Sequence, residues 1–380
     1  MATRVQHNLP TLLPPAMSRS SSSSTITLIP STPPAHKDAF VDSPLTVATP
    51  SLPDHPAFAA KCRDLSAVKI TKPIKAVFKD ALAGLDRPLR IVGLLATSDS
   101  GCHMYADMTA RACKQAEVVF DKVDLSAAED DYDDSASFAA VRAKIVEIND
   151  DLTVDGLIVY FPLFDAERDA ELRALIAPRV DVEGVHPQSL ERSYDHAPST
   201  VAELTANPAA ATVYPCTALA VVRALQSDEV GIYNSYASVG HRFAGKTVTV
   251  INRSETVGRP LAGMLANDGA RVYSVDIDST HVYERDAAED RHTVTVHPEV
   301  KPALASLLAE SDIVVTAVPG ASFKAPTLAL RPGAICIDLS ELGNFEADVR
   351  DRAGVFAPRL GSVTILMLKL NAFVLRMQHA

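Results

Sequence analysis

A short turn with phosphate-binding chemistry follows the apolar run 248–251. It reads NRSETVG over residues 252–258, and Pro260 comes two residues later. The pattern predicts a helix that begins near Thr256 or Val257, and a helix N-terminus offers unpaired N–H groups and partial positive charge to a phosphate. Gly258 permits a close approach, and a proline in the first helical turn costs little. We expect a nucleotide to contact Asn252, Arg253, Ser254, Val257 and Gly258.

An acidic residue ends the next predicted strand. Asp276 lies 18 positions after Gly258 and is followed by Ile277. A carboxylate at this place accepts hydrogen bonds from the ribose hydroxyls of NAD and repels the 2′-phosphate of NADP. The pattern therefore favours NAD, with Asp276 and Ile277 at its adenosine end. One alternative stays open, in which Ser254 and Thr256 only cap a helix.

Two further apolar runs, 311–319 and 333–340, are predicted as buried strands of the same domain. In parallel α/β sheets, ligands bind beyond the carboxyl ends of the strands. We therefore expect the residues at these two ends to flank the nicotinamide. They are Val318, Pro319, Asp338, Leu339 and Ser340.

The elements that must position these residues alternate between strand and helix, which is typical of an α/β fold with parallel sheets. We predict two parallel-sheet α/β domains, the second a Rossmann-type NAD-binding domain. Residues 1–50 are assigned to a disordered tail, 51–205 to the first domain and 206–362 to the second. The apolar helix predicted at 363–380 is expected to pack back on the first domain. The polar stretch 278–300 is interpreted as a surface excursion.

Composition narrows the function classes. The 380 residues carry a net charge of -11, which argues against a nucleic-acid partner. No apolar run approaches the ~20 residues that cross a bilayer. The five cysteines are scattered without a CxxC pair, which favours a reducing compartment and no structural metal.

Residues 1–37 lack Asp and Glu and are rich in Ser and Pro. We expect a cytoplasmic protein and keep mitochondrial import as a minority alternative.

Six ordered segments resemble the methylenetetrahydrofolate dehydrogenase/cyclohydrolase family. They are VDGLIVYFPL (154–163), RVDVEGVHP (179–187), YPCT (214–217), NRSETVGRP (252–260), PGAICID (332–338) and GSVTILML (361–368). The resemblance covers roughly residues 60 to 378 and is closest to the fungal, monofunctional, NAD-dependent branch. It implies hydride transfer from 5,10-methylenetetrahydrofolate to NAD and a homodimer.

The departures from the family pattern are informative. The family has Tyr-x-x-x-Lys after its first strand, whereas HMYADMT places Tyr105 and, four residues on, Thr109. The glutamine that partners this lysine in the family is replaced by Tyr160. The family's lysine supports the cyclohydrolase step, and threonine carries no charge. The resemblance therefore implies a dehydrogenase without cyclohydrolase activity.

The resemblance also implies a set of site residues. Tyr105, Thr109 and Glu183 take the catalytic positions, with Glu183 in place of the family's folate-binding Asp. Substrate contacts are expected from Tyr105, Tyr160, Pro162, Glu183 and Thr364. The substrate is methylenetetrahydrofolate, with or without a polyglutamate tail. Two alternatives stay open: a bifunctional enzyme that hydrolyses the methenyl product by another route, and a non-catalytic NAD-binding regulator.

Overall fold

The structure of the protein is a computed structural model that describes residues 60–126, 134–195, 198–286, 294–300 and 303–379. The tail predicted at residues 1–50 lies outside this range. Within it, no helix is long and apolar enough to cross a membrane.

The helices and strands alternate along most of the described chain. The helices are α1 Ala67–Ala83, α2 Ser100–Lys114, α3 Asp134–Asp150, α4 Ala166–Leu175, α5 Pro187–Asp195, α6 Val201–Ala206, α7 Cys216–Leu225, α8 Gly258–Asn267, α9 Leu304–Glu310, α10 Val349–Arg352 and α11 Gly361–His379. The strands are β1 Arg63–Asp64, β2 Arg90–Leu95, β3 Val119–Asp124, β4 Gly156–Val159, β5 Thr247–Ile251, β6 Arg271–Val275, β7 Thr280–Arg285, β8 Val294–Val300, β9 Ile313–Thr316, β10 Ile335–Asp338 and β11 Val355–Pro358.

A small parallel sheet forms the centre of the first half of the chain. Its strands lie in the order β3-β2-β4. Successive residues of β2 point to opposite faces, as the strand period requires. Ile91 and Leu95 belong to the core cluster that contains residues of α1, α2 and α11, whereas Val92 and Leu94 pack with residues of α3 and α4. Both faces are therefore covered, which explains the continuously apolar sequence of the strand.

A larger sheet forms the second half, in the order β1-β11-β10-β9-β5-β6-β7-β8. The strands from β1 to β6 are parallel, and β7 and β8 pair antiparallel at the end. The surface excursion predicted for residues 278–300 is therefore wrong. Val282 and Tyr283 of β7 are each 2% exposed. They extend the sheet, although charged neighbours make this stretch polar overall.

The first described strand belongs to the larger sheet. In β1, Arg63 is paired with Val355 of β11, and the sequence interpretation contained neither strand. Residues at the start of the predicted first domain thus contribute to the sheet of the second. The predicted domain boundaries themselves stay a prediction.

The last helix joins the two halves of the described chain. Helix α11 contacts α1, α2 and α7, and its assignment to the first domain stays a prediction. Its residues 363–375 are all buried, in keeping with a helix that is apolar on every side. Two polar side chains make its internal contacts specific. Lys369 donates to the Ala112 carbonyl of α2 at 3.0 Å, and Asn371 donates to the carbonyls of Val182 and Tyr214 at 2.9 Å each.

Candidate active site

A cavity of about 320 Å³ opens where strands of both sheets end. Its walls follow the carboxyl ends of β2, β4, β5 and β10, which is where ligands bind in parallel α/β sheets. The wall residues are Asp99, Gly101, Cys102, Tyr105, Val159, Tyr160, Phe161, Glu183, Val185, Cys216, Thr217, Thr256, Val257 and Glu341. The cavity thus brings together Tyr105, Tyr160, Glu183 and Val257, which the sequence analysis predicted from four separate segments.

Helix α2 brings Tyr105 to the cavity. The helix begins after Asp99, whose side chain accepts a hydrogen bond from the Cys102 N–H at 2.8 Å. The Tyr105 ring meets the Tyr160 ring edge to face, with centroids 6.1 Å apart. Thr109, one turn further on, is fully buried and donates to the Tyr105 carbonyl at 2.9 Å. Thr109 is therefore a packing residue behind the cavity wall, and the structure does not place it in direct contact with a ligand.

The Tyr160 hydroxyl is a polar atom without a partner. Tyr160 is 5% exposed, and its hydroxyl makes no hydrogen bond within the described chain. Burial raises the pKa of Tyr160, and the Thr109 hydroxyl is near enough to lower it, although the two hydroxyls do not meet hydrogen-bond geometry. A buried polar group without a partner costs roughly 1–3 kcal/mol. A polar atom of a bound ligand would remove this cost.

The Glu183 side chain lines the cavity and is half-buried. It accepts a hydrogen bond from the Val159 N–H at 3.2 Å. Burial raises the pKa of Glu183 to about 8, whereas the Val159 N–H lowers it, Asp181 raises it and Arg173 lowers it. Glu183 is therefore mostly protonated in the ligand-free protein at neutral pH. A ligand that donates hydrogen bonds would favour its ionised form.

The loop that carries Glu183 is held from several sides. Gly184 has φ 68°, and a Cβ there would lie 2.5 Å from the Tyr214 carbonyl carbon, so only glycine fits this contact. The Cys216 N–H donates to the Glu183 carbonyl at 3.0 Å. Burial raises the pKa of the Cys216 thiol, which favours a packed thiol over a nucleophile.

The predicted phosphate turn has the geometry of an anion site. A Cβ on Gly258 would lie 1.8 Å from the Asn252 carbonyl oxygen, so the glycine allows the turn to close tightly. Helix α8 begins at Gly258, slightly later than predicted. Its N-cap residue Val257 makes no side-chain cap, but the Ser254 hydroxyl accepts a hydrogen bond from the Gly258 N–H at 3.4 Å. The N–H groups of Thr256 and Val257 make no hydrogen bond within the described residues. These donors fit the pyrophosphate of a dinucleotide.

The Arg253 side chain has a structural role that the sequence did not predict. Its guanidinium donates to the carbonyls of Ser274 and Ser279 at 2.8 Å each and to their hydroxyls at 3.3 and 3.0 Å. These contacts engage its donors within the β6–β7 turn. The side chain therefore has a structural role, because β7 returns along β6 and surrounds it, and its expected phosphate contact stays a prediction.

Asp276 lies at the predicted place. Its two carboxylate oxygens accept hydrogen bonds from the N–H groups of Arg253 at 2.9 Å and Ile277 at 2.8 Å. A carboxylate has about four acceptor positions, so two remain for the hydroxyls of a ribose. Ile277 is 44% exposed and offers apolar surface beside this carboxylate.

The ends of β9 and β10 form one loop network. Asp338 is 4% exposed and accepts hydrogen bonds from Thr316, Ser340 and Asn344, so it orders the loop. Asn344 in turn accepts from the Val318 N–H at 2.8 Å. The sequence analysis missed Asn344, since nothing in its local pattern distinguishes it from any loop asparagine.

Some predicted residues lie outside the cavity wall, and some wall residues were not predicted. The wall does not include Pro162, Pro319, Ser340 or the half-buried Leu339. It also does not include the buried Thr364, whose hydroxyl donates to the Leu360 carbonyl at 3.3 Å. The missed residues include Asp99, Cys102 and Glu341. The only feature of the sequence that indicates these residues is their position after the ends of β2 and β10.

Comparison with known proteins decides the family. Residues 65–183 match the catalytic domain of tetrahydrofolate dehydrogenase/cyclohydrolase, and residues 215–290 match its NAD(P)-binding domain. The chain belongs to the tetrahydrofolate dehydrogenase/cyclohydrolase family. The resemblance found in the sequence is thereby confirmed.

Relatives within this family carry a narrower name. The methylenetetrahydrofolate dehydrogenase [NAD(+)] of Schizosaccharomyces pombe is 34% identical over 313 residues, which cover 82% of this chain and 92% of the relative. Its namesake in Saccharomyces cerevisiae is 36% identical over 285 residues, which cover 74% and 84%. The solved structure of the NAD-dependent 5,10-methylenetetrahydrofolate dehydrogenase from Saccharomyces cerevisiae has a TM-score of 0.73 at 30% identity. The match covers 83% of this chain and 98% of the Saccharomyces cerevisiae chain.

Proposed function

We propose that the protein oxidises 5,10-methylenetetrahydrofolate to 5,10-methenyltetrahydrofolate and transfers the hydride to NAD. The observation that carries this proposal is the cavity, which joins Tyr105, Tyr160 and Glu183 to the phosphate turn at Val257. Relatives of the same family that are named NAD-dependent methylenetetrahydrofolate dehydrogenases support it.

The folate side of the reaction requires positioning more than acid–base chemistry. The two nitrogens of the substrate stabilise the cation that remains after hydride loss, so no general base is needed. Glu183 binds the amide and amino donors of the pterin, and Tyr105 packs on the folate ring system. The orphan Tyr160 hydroxyl supplies one more polar contact. Alignment of two reacting atoms to about 3–3.5 Å is itself a large source of rate enhancement.

A bound dinucleotide would supply the nicotinamide ring as the hydride acceptor. The chain's contribution is to hold it: the free N–H groups of Thr256 and Val257 bind the pyrophosphate, and Asp276 binds the adenosine ribose. Val318 and the ordered 338–344 loop lie beyond the strand ends and shape the nicotinamide side. Arg253 acts indirectly, because it holds the β6–β7 turn that presents Asp276.

The reaction stops at the methenyl product in this proposal. Thr109 and Tyr160 take the positions of the family's lysine and glutamine pair. Thr109 carries no charge, and Tyr160 packs against Tyr105. Purified protein with NAD and methylenetetrahydrofolate should accumulate methenyltetrahydrofolate, which absorbs in the near ultraviolet. Rapid onward conversion to the 10-formyl product would instead establish a bifunctional enzyme. Failure to bind folate at all would favour a non-catalytic NAD-binding regulator.

Assembly and location stay predictions. We infer a homodimer through the cofactor domain from the family resemblance, and light scattering of the purified protein would measure its mass directly. A cytoplasmic location, with mitochondrial import as the alternative, follows only from the composition of the chain. Imaging of the full-length protein with a C-terminal fluorescent tag would distinguish the two.

A further inference from the structure

The cavity is acidic, although both proposed substrates are anions. Asp99 and Glu341 lie in its wall together with Glu183, which adds a negative charge when it is ionised. Folates carry glutamate carboxylates, and dinucleotides carry a pyrophosphate. A site of this charge needs cations near the substrates' oxyanions, because like charges in a partly desolvated cleft repel.

Most arginines around the cleft are already engaged. The Arg253 guanidinium is bound within the β6–β7 turn. Arg259 forms a two-pronged contact with Glu255, at 2.7 and 3.0 Å to its two carboxylate oxygens. Arg359 donates to the Glu341 carbonyl at 3.3 Å.

Arg173 differs from these residues. It lies near the C-terminus of α4, is half-buried, and makes no hydrogen bond or ion pair within the described part of the chain. Its guanidinium carbon lies 5.2 Å from the centre of the Phe161 ring, and Phe161 is a wall residue of the cavity. A half-buried guanidinium thus has five donors and one aromatic neighbour, which leaves those donors available to a ligand.

Arg173 interacts electrostatically with acids of both substrate regions. Burial lowers its pKa, while the charges of Asp169, Glu255 and Glu183 oppose that change. Of these acids, Glu255 belongs to the phosphate turn and Glu183 to the folate wall. The guanidinium is therefore within electrostatic range of both regions.

We propose that Arg173 binds an oxyanion of one of the two substrates, either a glutamate carboxylate of the folate or the pyrophosphate of the dinucleotide. This inference rests on the proposed function. Guanidinium groups bind carboxylates and phosphates through paired hydrogen bonds, so both sources share one chemistry. The competing role is packing alone, in which Arg173 only covers the Phe161 ring.

Steady-state kinetics of Arg173→Met, Arg173→Lys and the wild type test the proposal. Loss of a charge-assisted hydrogen bond should raise one KM about tenfold or more. A higher KM for NAD alone identifies the pyrophosphate. A higher KM for the folate alone, larger with a polyglutamate tail than with one glutamate, identifies the carboxylate. The lysine variant keeps the charge and should recover part of the affinity, with a KM that rises with salt concentration.

Arg142→Met is the matched control, since Arg142 pairs with Glu171 on the outer face of α3 and α4. It should leave both KM values unchanged. Unchanged KM values in Arg173→Met overturn the proposal. So does an equal loss in the methionine and lysine variants with a lowered melting temperature, because that result indicates packing. Calorimetric titration with NAD and with folate measures binding to the wild type and to Arg173→Met without catalysis. An inactive wild type would overturn the proposed function, whereas the titrations would still test the role of Arg173.

Discussion

At the scale of residues, the chemistry of the site depends on what surrounds each side chain. Glu183 and Asp276 are both carboxylates predicted to bind substrates. Glu183 is half-buried in the cavity wall, and its burial raises its pKa to about 8. Asp276 lies at a strand end, where two N–H groups bind it and part of it meets solvent. The first therefore responds to pH near neutrality, and the second offers its remaining acceptor positions to a ribose.

Replacing Glu183 should remove a pH dependence as well as activity. In the wild type, kcat/KM for the folate should rise as pH increases through about 8, because ionised Glu183 accepts from the pterin donors. Glu183→Gln should lower this value by about 10- to 100-fold at high pH and flatten the profile. Initial rates at saturating NAD between pH 6 and 9 measure both effects. A variant whose profile still rises like the wild type would show that another group titrates.

Replacing Asp276 should change the choice of dinucleotide. Asp276→Ser removes the acceptor for the ribose hydroxyls and the charge that repels a 2′-phosphate. We expect kcat/KM for NAD to fall about tenfold and that for NADP to rise. Asp278→Ser, two residues on and exposed, is the control and should keep the wild-type preference. If the wild type already prefers NADP, the assignment of Asp276 is wrong.

At the scale of elements, helix α11 determines how the folate wall is built. Asn371 holds the Val182 and Tyr214 carbonyls, so one side chain joins the loop of Glu183 to the segment before Cys216. The sequence indicated an apolar helix that returns to the first domain. It did not indicate this bridge, because the two acceptors lie 189 and 157 residues away.

Asn371→Ala should therefore affect both stability and substrate binding. Two buried carbonyls lose their partner, at a cost of about 2 kcal/mol or more. We expect a lower urea midpoint and a higher KM for the folate. Gln378→Ala is a matched control, since Gln378 holds the Pro208 and Ala211 carbonyls from the same helix, away from the cavity. It should lower stability but leave this KM unchanged, whereas equal kinetic effects would contradict the bridging role.

At the scale of the whole molecule, the raised pKa of Glu183 links stability to pH. Its ordinary value is 4.5, and the folded value is about 8. The folded protein therefore binds more protons than the unfolded chain between these values. The stability that this group contributes is present below pH 4.5 and is lost as pH rises through about 8.

Glu183→Gln should remove this part of the pH dependence. The difference in melting temperature, variant minus wild type, should be larger at pH 9 than at pH 5. Differential scanning calorimetry of the ligand-free proteins at both values provides the measurement. A difference that does not change with pH would mean that Glu183 titrates near its ordinary value in the folded protein.

The sequence by itself determined the family, the α/β class and the residues that follow the strand ends. Strand and helix periodicity is local, and NRSETVG and VDVEGVHP carry their chemistry within a few residues. The tertiary structure alone decided how those residues act. It showed that the Arg253 guanidinium is engaged in a turn, that Thr109 lies behind the wall, that β7 and β8 extend the sheet and that Arg173 lies beside Phe161. Each of these depends on neighbours brought close only by folding, and burial and pairing with distant groups leave no local pattern in the sequence.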